Sequence, residues 1–215
     1  MRRKTRKHQR LLAALVLVVT VASPFGLAPE PVFAERTACL TSPTRRPSRT
    51  QMKRLSHLEP YIRYFSSLGY GPERSRVSAD FIRALIITES GGDTWAVSAR
   101  DARGVTQLTA ATAAVAAREL LATTRDFLFI DESVLVDLHP NDLFDPALNI
   151  LLACYLNATY HARYEGRTEL VVSAWNAGPG AVARYGNRPP PYPETRNAIL
   201  RVQDYMAYFE TLQVN

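Results

Sequence analysis

Two short stretches hold the residues best suited to chemistry. The first is Glu89-Ser90-Gly91-Gly92, followed by Ala96-Val97-Ser98 and Gly104-Val105-Thr106-Gln107-Leu108. The second is Ala174-Trp175-Asn176-Ala177-Gly178-Pro179-Gly180. Glu89 closes an apolar run that Gly91-Gly92 breaks, so its carboxylate is expected at the end of a buried helix. Desolvation there raises a carboxyl pKa, and the partial negative charge of a helix C-terminus pushes the same way. A Glu lifted from about 4.3 toward 6 can donate a proton near neutral pH, which a breaking glycosidic bond requires. Gln107 and Asn176 each offer an amide acceptor and two donors suited to N-acetyl and hydroxyl groups, and Ser98 adds a hydroxyl.

Glycosidic cleavage usually takes two carboxylates. Asp93 and Asp101 lie on the loop after Glu89, and no motif fixes either one. A single carboxylate suffices when the sugar brings its own nucleophile. In bacterial wall glycan the C6 hydroxyl of a muramic ring can attack its own C1. Glu89 would first protonate the leaving oxygen and then accept the hydroxyl proton, leaving an anhydro sugar.

The elements that must position these groups read as helices. Tyr61, Tyr64, Phe65 and Leu68 recur at helical spacing until Gly69. Ser78 is placed to cap the next helix, with Asp80 in its first turn and Phe81, Ala84, Leu85 and Thr88 inward. Residues 93–108 read as a loop and 110–122 as an Ala-rich helix. Residues 123–144 are weakly patterned, and Phe127 to Ile130 is readable as a short strand or an added lobe. Asp145-Pro146 is a strong helix start, with Leu148, Leu151, Leu152, Tyr155, Thr159 and Ala162 on one face. Thr168 opens another helix that runs to Ala177, and a short one follows to Arg184. Residues 187–193 are too rich in proline for a helix. The last helix spans about Glu194 to Leu212, with Ile199, Val202, Tyr205, Met206 and Phe209 inward. The fold class is therefore mainly α, a compact multi-helix domain over 55–215.

The net charge of +6 is unevenly placed. Residues 1–34 and 35–54 each carry six Lys/Arg against one Glu, whereas 55–215 carries fourteen against eighteen Asp/Glu. A mildly acidic domain argues against nucleic acid as a partner. Residues 1–34 read as a signal peptide: a basic start, an apolar run from Leu11 to Ala22, and Val32-Phe33-Ala34 as the cleavage site. An uncleaved anchor is the other reading. Either one implies export to the periplasm or cell envelope. Residues 35–54 form a basic linker rich in Pro, Ser and Thr, either a solvated spacer or a tether to an anionic wall polymer. Cys39 and Cys154 would pair in an oxidising compartment or stay as a solvated and a buried thiol. The scattered histidines and the lack of a C-x-x-C leave no metal-ligand spacing, and no cofactor is expected.

The domain from about Tyr70 to Tyr208 resembles the soluble-type lytic transglycosylases, whose fold is goose-lysozyme-like. The matching motifs include those above, Thr112-Ala113, Phe144-Asp145-Pro146 with Asn149-Ile150, and Pro190-x-Tyr192-Pro193-Glu194-Thr195. The resemblance implies that Glu89 is the sole catalytic acid/base. It also implies that Ser98, Gln107 and Asn176 lie in a glycan cleft, where a MurNAc–GlcNAc β-1,4 bond is broken to leave a 1,6-anhydro-MurNAc end. Trp175 stands where the family usually has Tyr, and two readings are open for it, sugar stacking and core. Tyr205 matches a tyrosine of the family's last helix and is expected at the groove, ahead of Tyr185 and Tyr192. Thr109 replaces a methionine expected to pack on the bound sugar. Asp101 stands at a common Gly and would favour hydrolysis if its carboxylate reached the cleft. The expected partner is peptidoglycan glycan strands, met by a monomer serving wall turnover or a secretion or conjugation machine. A lysozyme-like hydrolase and a non-catalytic wall-binding factor are the alternatives.

Overall fold

A computed structural model describes residues 45–123 and 126–213. Eight α-helices carry the described chain: α1 Arg49–Ser67, α2 Ala79–Glu89, α3 Ala110–Leu121, α4 Glu132–Val136, α5 Pro146–Arg163, α6 Thr168–Ala177, α7 Pro179–Arg184 and α8 Pro193–Gln213. A 3-10 turn, Pro140–Phe144, leads into α5. Extended pairing among the described residues is limited to isolated bridges such as Val97 with Arg103 and Arg103 with Leu108. The mainly helical class holds.

The helix starts follow the chain's capping chemistry. Ser78 accepts from the Phe81 N–H at the head of α2. Asp145 accepts from Ala147 and Leu148 ahead of Pro146, satisfying amides that the helix itself leaves unpaired. α5 is buried without a break from Ala147 to Ala158, so it is a central helix rather than an amphipathic one. α1, α3 and α6 pack around it, and α8 packs on α2 and α6. α2 is nearly as enclosed, with Phe81, Ile82, Leu85 and Ile86 fully buried. The inward stripe expected for α2 holds but is too narrow. On α5 Leu148, Leu151, Leu152 and Tyr155 are buried, whereas Thr159 and Ala162 of the expected face are exposed, because the buried stretch ends at Ala158.

Three expectations are corrected. The linker assigned to 35–54 ends earlier, because α1 already begins at Arg49. Ser48 and Gln51 form a reciprocal capping box there, and Leu55 and Leu58 then bury the first turns. On α1 the core face is Leu55, Leu58, Ile62 and Phe65, with Tyr61 and Tyr64 only partly buried against it. Phe127 to Ile130 forms a turn rather than a strand. Phe129 there meets Tyr61 and Tyr64 edge-on, and the Leu128 N–H donates to the Tyr64 hydroxyl.

Residues 1–34, expected to be a signal peptide, and Cys39 lie outside the described residues. Cys154 is fully buried in α5, and burial pushes its thiol pKa well up. Among the described residues, no helix is long and apolar enough to cross a membrane, and no cluster of His, Cys, Asp or Glu could hold a metal ion.

Candidate active site

Glu89 is the last residue of α2. Its carboxyl faces a cavity of about 450 Å³ whose walls include Ser98, Gln107, Thr109, Trp175, Asn176 and Glu194. Burial dominates its electrostatics and raises its pKa from 4.5 to about 7. The Arg201 cation and a hydrogen bond from the Trp175 side chain pull the other way, and Glu194 adds a smaller upward push. A carboxyl group at that value is partly protonated at neutral pH and exchanges its proton readily.

The loop from Asp93 to Thr109 is fastened to the helices by buried polar bonds. The Ser90 hydroxyl, one residue past Glu89, donates to the Val105 carbonyl at 2.7 Å. Asn149 of α5 is fully buried and fully used. Its Oδ1 accepts from the Thr106 N–H at 2.9 Å and the Thr106 hydroxyl at 2.6 Å, and its Nδ2 donates to the Arg103 and Leu143 carbonyls. Gly104 passes this knot at φ +76°, and a Cβ there would stand 2.1 Å from the Leu143 carbonyl oxygen. Only glycine fits both the conformation and the space.

Gln107 has a positive φ of 55°. Its Nε2 donates to the Ala96 and Gly104 carbonyls, both at 3.0 Å. Two carbonyl partners fix the amide orientation, leaving Oε1 as the atom available to a ligand. Asn176, at the end of α6, has the opposite arrangement. Its Oδ1 accepts from the buried Thr195 hydroxyl at 2.7 Å, so its NH2 group is the donor left over. Ser98 accepts from the Arg100 and Ala102 amides and keeps its own O–H to donate.

A family model described as Transglycosylase SLT domain matches residues 69–195, more than half of the chain. The chain belongs to this SLT-domain family. It is 27% identical over 165 residues to a Haemophilus influenzae protein that carries the name of a soluble lytic murein transglycosylase; the match covers 71% of this chain and 25% of the relative. The 70-kDa soluble lytic transglycosylase Slt70 of Escherichia coli matches in fold, with a TM-score of 0.56 at 21% identity over 75% of this chain and 26% of that one. An inactive mutant of lytic transglycosylase Slt from Pseudomonas aeruginosa, with a glutamate replaced by glutamine, gives a TM-score of 0.54 at 22% identity, covering 77% of this chain and 25% of that one. The chain thus spans about a quarter of the length of these relatives.

Within the SLT domain, Glu89, Ser98, Gln107, Thr109, Trp175 and Asn176 meet at one cavity. Thr109 has a second task, capping α3 by accepting from the Thr112 N–H. Of the two readings given for Trp175, its packing against the core is seen, and it also lines the cavity and hydrogen-bonds Glu89. Tyr205 is a core residue, 8% exposed, and does not line the cavity. Tyr185 and Tyr192 are exposed and pack on each other, also outside it. Asp101 points its carboxylate at Arg103, which holds both oxygens, and Asp93 pairs with Arg54 at 3.6 Å. Neither lines the cavity.

Three residues near Glu89 were not singled out as site residues from sequence. Glu194 lines the cavity and faces Arg100 at 3.8 Å. Thr195 orients Asn176 from within a quoted motif. Arg201 donates to the Thr88 carbonyl at 2.5 Å. A signal for Arg201 existed, because a cation beside the buried Ala198, Val202 and Tyr205 stripe of α8 needs a partner.

Proposed function

We propose that this chain is a peptidoglycan lytic transglycosylase with Glu89 as its single acid/base. The observation that supports this best is Glu89 itself, a desolvated carboxyl with a pKa raised to about 7 at the wall of a polar cavity. The other carboxylate lining the cavity, Glu194, is largely exposed and faces Arg100, so it is poorly placed to act as a second acid. In the proposed reaction the Glu89 carboxylic acid gives its proton to the bridging oxygen of a MurNAc–GlcNAc β-1,4 bond as the C1–O bond breaks. The C6 hydroxyl oxygen of the same MurNAc then bonds to C1, and the Glu89 carboxylate takes the hydroxyl proton. A 1,6-anhydro-MurNAc end forms, no water is consumed, and Glu89 returns to its acid form.

The remaining site residues take positioning roles. Gln107 Oε1 is free to accept from an acetamido N–H or a hydroxyl. The Asn176 NH2 group can donate to an acetamido carbonyl, and the Ser98 O–H to a ring substituent. Trp175 steadies the Glu89 carboxylate. Thr109 contributes a small, partly polar surface to the sugar. Such a substrate places the protein outside the cytoplasm, in keeping with the signal segment expected over 1–34.

The test is mass spectrometry of purified peptidoglycan after incubation with the protein. Muropeptides one water lighter than hydrolysis products, absent with Glu89→Gln, are expected. Ordinary reducing ends would make the chain a hydrolase. Glycan binding without turnover in either form would make it a binding factor.

A further inference from the structure

The loop that supplies Ser98 and Gln107 also carries Trp95, which is 73% exposed, and Val97, which is 55% exposed. The exposed indole leaves an aromatic face open to a stacking ligand. Trp95 is nevertheless held in place. Its backbone N–H donates to Asp93 Oδ1 at 3.0 Å. Its ring lies tilted by 35° against Phe144, with centroids 5.1 Å apart. The Arg103 guanidinium lies 5.7 Å from the Phe144 centroid and is itself anchored to Asp101 and Asn141. The shelf is therefore an ordered aromatic surface with a polar rim.

Its place relative to the cavity follows from the chain. Trp95 precedes Ser98 by three residues, so their Cα atoms are at most roughly 11 Å apart. The residue between Trp95 and Val97, Ala96, lends its carbonyl to Gln107 Nε2 and to the Gly104 N–H. Trp95 and the part of the cavity wall that Ser98 and Gln107 supply thus share one hydrogen-bonded loop.

We propose that the Trp95–Phe144 shelf is an outer glycan subsite, on which a sugar beyond those in the cavity stacks its apolar ring face. The proposal rests on the reading of the cavity as a glycan site. The chemistry favours a sugar because a pyranose offers C–H groups to an aromatic face and hydroxyls to the polar rim that Arg103 and Asn141 provide. A polymeric substrate also continues past the cavity, and Trp95 sits on the same loop that supplies Ser98 and Gln107 to its wall.

The test measures binding by calorimetry in the 215-residue chain carrying Glu89→Gln, which prevents turnover. The probes are purified peptide-free peptidoglycan glycan strands and the disaccharide GlcNAc–MurNAc. Adding Trp95→Ala should weaken strand binding by about three- to tenfold, the range of one aromatic contact, and leave disaccharide binding unchanged. Trp95→Tyr should restore most of the loss. Equal strand affinity with and without Trp95 would overturn the subsite. An equal loss for strand and disaccharide would overturn it as well, since Trp95 would then act only through the loop's shape. If the parent bound neither probe, the glycan reading of the cavity would fail first and the shelf with it.

Discussion

Replacing Glu89 by Gln should stabilise the protein at alkaline pH. Folding moves the Glu89 carboxyl out of water and raises its pKa from 4.5 to about 7. The folded state therefore holds this proton more tightly than the unfolded state. As pH rises from about 4.5 to 7, the unfolded chain has lost the proton while the folded chain keeps it, so stability falls across that window and levels off above it. At about 1.4 kcal/mol for each pH unit between the two values, the full penalty is about 3 kcal/mol. Glutamine keeps the shape and an acceptor for the Trp175 side chain without the charge. Urea unfolding of parent and Glu89→Gln should give nearly equal stabilities at pH 4 and a gap of about 3 kcal/mol in favour of Gln at pH 8.5. For a domain of this size that is a rise in Tm of roughly 6 to 12 °C. A gap that does not change with pH, or a Gln variant less stable at pH 8.5, would mean that Glu89 is well solvated and would remove the physical basis for its acid role.

Other substitutions separate the loop's anchors from its chemistry. Arg201→Met removes the cation that lowers the Glu89 pKa, so the alkaline limb of the pH–rate profile should move to higher pH; an unmoved limb would rule out the electrostatic link. Asn149→Ala strips partners from the Thr106 amide and two carbonyls and should cost about 3 to 5 kcal/mol by denaturant melt. Gly104→Ala forces a Cβ to 2.1 Å from the Leu143 oxygen at a positive φ and should cost more than about 3 kcal/mol, read as loss of a cooperative thermal transition. Thr195→Val keeps volume but frees the Asn176 amide to turn; KM should rise several-fold with Tm nearly unchanged, and an unaltered KM would show that Asn176 needs no such support.

Sequence legibility followed the range of the interactions. The heads of α2, α5 and α7 were readable because caps and prolines act within one turn. The head of α1 was obscured, since Ser48 sits among prolines and arginines and its capping box competes with a composition that reads as linker. Glu89 was legible as a desolvated acid because its apolar helix precedes it directly. The orientation of Gln107 and Asn176 was not, because the atoms that fix them belong to Ala96, Gly104 and Thr195, and periodicity carries no record of such partners. Tyr205 was misplaced for the same reason: a tyrosine on an inward stripe reads alike whether it ends in the core or at a groove. Sequence position alone leaves Asp101 a role in the cleft, but Arg103 occupies both its oxygens, a pairing that spacing does not reveal.

The division of polar atoms at the cavity argues for a site set before any ligand arrives. Gln107 spends its donors on the Ala96 and Gly104 carbonyls and keeps an acceptor. Asn176 commits its acceptor to Thr195 and keeps donors. An acetamido group presents one N–H and one carbonyl, the complement of that pair, and a site that holds both halves in place loses little conformational freedom on binding. The same fastening carries the burden of Glu89. Ending a buried helix on a carboxyl group sets two unfavourable effects together, desolvation and the negative helix terminus. One guanidinium meets both, since Arg201 occupies the Thr88 carbonyl near that terminus and opposes the Glu89 charge. It offsets only part of the cost, because the carboxyl remains raised to about 7. A stronger cationic partner would stabilise the fold and leave Glu89 ionised, without the proton that the proposed reaction must deliver.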